Sequence, residues 1–158
     1  MSGELLGGRI SAWWLIPLVC WALALVVAAA VDAVTQRVPG TLVRVSSAAT
    51  VLADAGVALA TASLGALWLT AVAALASFAI FGLCWRFAGL GFGDVRLAVL
   101  GGLGLGHARL AGVLAGCAVL ALIVIIQSVL TLLRTEDPAR EIPFGPAIAV
   151  GYLVAALI

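Results

Sequence analysis

Residues 13–40 read WWLIPLVCWALALVVAAAVDAVTQRVPG. From Trp13 to Val31 no residue carries a charge. An α-helix needs about 20 apolar residues to cross the hydrocarbon of a bilayer, and this run meets that need. Ala28 to Ala30 offers the small residues of a cleavage site, but a secretory signal core has only about 7–15 apolar residues. The stretch therefore predicts a first transmembrane helix, with Trp13 and Trp14 in the aromatic belt at one interface. It ends at Asp32, and Pro39-Gly40 marks a turn flanked by Arg37 and Arg44.

The rest of the chain has the same character. Of its 158 residues, 65% are hydrophobic and 9% charged, and the mean hydropathy is +1.30. A soluble domain carries roughly a quarter charged residues, so this composition excludes one, and intrinsic disorder needs the opposite balance. The pattern predicts an all-α integral membrane protein, a single transmembrane domain over 1–158. Its bundle would have about six helices, near 13–31, 45–64, 65–85, 95–106, 110–133 and 144–158. The second span is the weakest, rich in Ala, Ser and Thr with Asp54 near its middle, and the fourth and sixth are short. A net charge of +1 suggests no nucleic-acid partner. Cys20, Cys84 and Cys117 stand singly in apolar runs, which supports neither a zinc site nor a disulfide framework. Packing in the core is the expectation for them. Small residues four apart, Gly89/Gly93, Gly102/Gly106 and Gly112/Gly116, suggest close helix packing.

All eight basic residues are arginine. With six spans, Arg37, Arg44, Arg86, Arg96, Arg134 and Arg140 fall on the side of loops one, three and five. Arg9 and Arg109 fall on the other. The positive-inside rule then places both termini outside and the three arginine-rich loops in the cytoplasm. Asp32 and Asp94 lie together at that cytoplasmic face, one at the end of helix one and the other at the start of helix four.

Acids at a membrane face usually have a reason to be there. Asp94 opens a helix, where a carboxylate can cap free N–H groups. Asp32 stands at a helix C-terminus, where the dipole disfavours it, and a solvated loop position is its plainest alternative. Held close, two carboxylates cannot both ionise, so they share a proton. One then takes a proton from water while the other protonates a scissile carbonyl, the chemistry of an aspartic protease. Gly91 and Gly93, without Cβ atoms, would let an extended substrate backbone approach Asp94.

Three motifs carry a family resemblance: DAVTQRVPG from Asp32 to Gly40, GFGDVRLA from Gly91 to Ala98, and IPFGPAIAVG from Ile142 to Gly151. Together they resemble the type IV prepilin peptidases, the GxGD aspartyl proteases of the inner membrane, over nearly the whole chain. The resemblance implies that Asp32 and Asp94 are the catalytic pair. It implies that Gly91, Gly93, Pro39, Arg96, Pro143, Gly145 and Pro146 shape the site or bind substrate. The family often has Asn where this chain has Gly40, and Lys where it has Arg96; both replacements keep the local turn and charge. The substrate implied is a prepilin or pseudopilin of a type IV pilus or secretion system. Its short basic leader would be cut after a glycine at the cytoplasmic face, with no metal or organic cofactor. The 12-residue polar lead lacks a CxxC pair and is similar to the short members of the family, without the insert tied to N-methylation.

The remaining polar residues have plainer readings. Asp54 is expected to bond a Ser or Thr of a neighbouring helix or to lie nearer the outer interface. His107 sits at an outer helix end. Arg134, Glu136, Asp137, Arg140 and Glu141 form a mixed-sign connector that could also meet a basic leader. The alternative from another class is a non-enzymatic membrane subunit, a small transporter or scaffold, with its aspartates paired to arginines such as Arg37 and Arg96 or relaying protons. A presenilin-like protease shares GxGD but not Pro39 or IPFGP.

Overall fold

The computed structural model describes residues 12–62, 64–88, 90–106, 108, 110–134 and 144–158. Among them are six α-helices and no strand: α1 (Ala12–Thr35), α2 (Gly40–Thr61), α3 (Leu64–Ala88), α4 (Phe92–Leu103), α5 (Leu110–Arg134) and α6 (Gly145–Leu157). The chain is an all-α membrane bundle. Its first three helices are long and apolar enough to span a bilayer, and shorter apolar helices complete it. Leu23, Leu52, Leu59, Leu75, Ile80 and Phe87 lie on the outer surface. Large side chains of this kind, exposed on every long helix, make sense against lipid and would be an aggregation hazard in water. On α3, Trp68 and Trp85 are both exposed. At 1.5 Å per residue they stand about 26 Å apart along the axis, close to the spacing of two interfacial belts.

Several boundaries differ from the sequence reading: α3 runs on to Ala88, α4 spans Phe92–Leu103 in place of 95–106 and so includes Asp94, and two further shifts matter most to the site. Helix α1 runs on past Asp32 to Thr35, because nothing in Ala33-Val34-Thr35 breaks it. The Thr35 hydroxyl donates to the Val31 carbonyl (2.8 Å), and the chain leaves through Gln36 at φ 52°. Helix α2 starts at Gly40, with Pro39 as its N-cap at φ −70°. The Pro-Gly pair therefore starts a helix instead of closing a long loop. Proline fits there because its missing N–H would be unpaired at a helix start anyway. The link between α1 and α2 shrinks to residues 36–39.

Helix α4 is the axle. At 12 residues it spans only about 18 Å, short of a bilayer. It is nonetheless buried through Val95, Leu97, Ala98, Leu100, Gly101, Gly102 and Leu103 and packs on α1, α2, α3 and α6. A helix enclosed by protein can end at membrane depth if its last carbonyls find donors. Gly104 and Leu105 donate to the carbonyls of Gly101 and Gly102. The indole N–H of Trp21, a fully buried residue of α1, donates to the Leu100 carbonyl at 2.6 Å. Close packing uses the expected glycines. A Cβ on Gly102 would lie 2.6 Å from Ser77 Oγ of α3, and one on Gly112 would lie 2.6 Å from the Ala155 carbonyl of α6. Cys20, Cys84 and Cys117, expected in the core, are all exposed. They lie on the outward sides of α1, α3 and α5, where a small apolar thiol suits lipid as well as it suits a protein interior.

Candidate active site

The ends of α1 and α3 and the starts of α2, α4 and α6 meet at one end of the bundle. The contacts that join them involve the residues singled out in the sequence. Asp32, in the last turn of α1, is 4% exposed. The backbone N–H of Gly145, in the first turn of α6, donates to its Oδ2 at 2.9 Å. Asp32 therefore has a stabilising partner that its own helix does not supply. It stands at the C-terminal end of α1 but at the N-terminal, positive end of α6. Gly145 leaves no room for anything larger: a Cβ there would lie 2.5 Å from Asp32 Oδ2 and 3.0 Å from its Cγ.

Asp94 is the third residue of α4 and is 8% exposed. Gly91 is the N-cap, with its carbonyl accepting from the Asp94 N–H at 3.1 Å. The carboxylate folds back toward Gly91, so that a Cβ on Gly91 would lie 3.2 Å from Asp94 Oδ2. Both acids lie at the end of the bundle where α1, α4 and α6 pack together. Among the described residues neither is in an ion pair. The guanidinium of Arg96 lies instead 4.8 Å above the Phe92 ring, and that ring meets Trp85 edge-on at 5.2 Å.

Gly93 of the GxGD segment has a packing role besides the substrate role expected from sequence. A Cβ on Gly93 would lie 2.9 Å from Val38 Cβ, so this glycine lets the 36–39 link press onto the start of α4. Pro39 accepts from the Val43 N–H at 3.1 Å. A Cβ on Gly40 would meet only the tip of Arg96, at 2.9 Å. Pro146 occupies the first turn of α6, where proline is at home. Thus Asp32, Asp94, Gly91, Gly93, Pro39, Arg96, Gly145 and Pro146 share one end of the bundle. Pro143, His107, Arg9, Glu136, Asp137, Arg140 and Glu141 lie outside the described residues.

The polar contact that sequence reasoning missed is the bond from Gly145 to Asp32. Its signal is the Gly145-Pro146 pair. Proline fixes the first turn of a helix, and a glycine just before it leaves an open N–H for an acid to cap. Nothing in the sequence says that the acid lies 113 residues earlier.

No protein-family model matches the chain, and no curated protein and no solved structure matches it. The family resemblance rests on the three motifs and their order.

Proposed function

We propose that this protein is a membrane aspartic endopeptidase that removes the short basic leader of prepilins or pseudopilins. It would act at the cytoplasmic face of the inner membrane. One observation carries the reading: two buried aspartates, 62 residues apart in sequence, lie at the same end of the bundle with no arginine partner among the described residues. In the proposed reaction one carboxylate is ionised and takes a proton from water. The other is protonated and gives its proton to the oxygen of the scissile carbonyl, while the water oxygen bonds to the carbonyl carbon. Collapse of the resulting diol breaks the C–N bond: one diol hydroxyl returns its proton to the second carboxylate as the carbonyl re-forms, and the leaving amine takes the proton held by the first carboxylate. Helix N-termini at both aspartates favour the negative charge that the pair carries. Arg37, Arg44, Arg86 and Arg96, clustered at the same end, support a cytoplasmic orientation for it.

A second reading has its own observation. Asp32 caps α6 and Asp94 lies in the first turn of α4, folded toward its N-cap, so both acids have structural work in a non-enzymatic subunit. Asparagine separates the two readings, because its amide oxygen can still accept the capping bonds but cannot exchange a proton. Coexpression with a prepilin, read as a gel-mobility shift, should show leader removal by the wild type. Asp32→Asn and Asp94→Asn should insert normally and cut less than about 1% as much, the scale of loss expected for an essential acid or base. Substantial cleavage by either variant would favour the structural reading.

A further inference from the structure

A third buried carboxylate lies far from this pair. Asp54 comes 14 residues after Gly40 on α2, about 21 Å along the helix axis from the end that holds Asp32 and Asp94. It is 7% exposed. Among the described residues it has neither the Ser or Thr hydrogen bond expected from sequence nor an ion-pair partner. It lines a cavity of about 10 Å³ together with Thr50, Thr70, Trp21, Gly104 and Gly106. That is room for one water-sized guest.

The lining has the chemistry of a hard-cation site. Three of the residues that line it carry side-chain oxygen, Asp54, Thr50 and Thr70; Pro17, Leu18 and Leu103 add apolar walls. Thr50 donates its proton to the Ser46 carbonyl at 2.9 Å, so its hydroxyl oxygen keeps its capacity to accept or to ligate. Gly104 and Gly106 belong to the turn that ends α4, so the cavity lies at the negative end of that helix dipole. An ionised carboxylate at membrane depth needs a counter-charge, and interrupted helices in membranes often supply cation ligands at their C-terminal ends. Oxygen donors select hard cations. One carboxylate balances one positive charge, and the small volume favours a small ion.

We infer that the Asp54 cavity is a binding site for a single monovalent cation of sodium size. It is independent of the peptidase reading, since none of its residues belongs to the aspartate pair. The purified full chain in detergent is melted at pH 8 in sodium chloride, potassium chloride or choline chloride at equal ionic strength. Sodium should raise the melting temperature saturably, by about 2–4 °C, the shift that roughly 1 kcal/mol of binding produces in a chain this size. Potassium should raise it less, and choline not at all. Asp54→Asn should melt at one temperature in all three salts. Thr70→Val should need about tenfold more sodium for half the effect, as one lost ligand is worth roughly a kcal/mol. Equal melting of the wild type in sodium and choline would overturn the inference and leave a proton as the neutralising charge. Sodium dependence that survives in Asp54→Asn would overturn it as well. Should Asp54→Asn fail to fold, the wild-type comparison decides alone.

Discussion

At the scale of single residues, the account turns on how Asp32 is held. A carboxylate at the end of α1 gains nothing from its own helix, and the first N–H of α6 compensates. Gly145 is the hinge of that arrangement, because any Cβ would collide with the carboxylate it bonds. Gly145→Ala should therefore push Asp32 away or strain the start of α6, at about 1–3 kcal/mol for an overpacked buried site. A lower melting temperature in detergent and a cleavage rate reduced at least tenfold are the expected readouts, and wild-type values for both would remove Gly145 from the site. The two aspartates were legible in the sequence because acids beside long apolar runs stand out. The capping of Asp32 was not, since it depends on a contact between the first and last helices. The cysteines were misread for a related reason: sequence tells that a thiol is in an apolar environment but not whether that environment is protein or lipid.

At the scale of the helix, hydropathy gave the number and order of elements, while the boundaries that mattered depended on local chemistry. Pro39-Gly40 reads equally well as a turn or as a helix start, and the start prevails because α2 has only to clear a four-residue link. The short fourth span is explained by its surroundings: it is buried among four other helices and does not have to meet lipid. Its C-terminal end depends on Trp21, a side chain that hydropathy counts as one more apolar residue in α1. Trp21→Phe keeps one aromatic ring, removes the donor to Leu100 and leaves the volume of the pyrrole ring unfilled at a fully buried site. In membrane proteins such a bond contributes about 0.6–1.7 kcal/mol, so the variant should melt a few degrees lower. Unchanged melting would mean that another donor reaches the Leu100 carbonyl. Tyr152 of α6 is tied to α3 in the same way, by its hydroxyl to Ser77 Oγ at 2.6 Å.

At the scale of the whole molecule, sidedness and chemistry have to agree. The residues clustered at the dyad end come from helix ends that alternate along the chain, as an up-and-down bundle requires. Four of the arginines lie there too, so the positive-inside rule predicts that this end faces the cytoplasm. Single cysteines at Thr41 and Phe92, both exposed at that end, and at Ala62, exposed at the other, test it once Cys20, Cys84 and Cys117 have been replaced. Thr41 and Phe92 should label only when reagent enters the cell, and Ala62 from outside; the reverse pattern would turn the molecule over and separate the site from a cytoplasmic leader. The central claim is that Asp32 and Asp94 share one proton and activate one water. The pH–rate profile of leader cleavage, measured with purified protein in liposomes and a synthetic prepilin, tests it most directly. The account predicts a bell: at low pH both carboxylates are protonated and no base remains, and at high pH both are ionised and no acid remains. It also predicts cleavage below about 1% of the wild-type rate at every pH for Asp94→Asn. An intact substrate with the wild type across the whole range, or a profile for Asp94→Asn that matches the wild type, would contradict it.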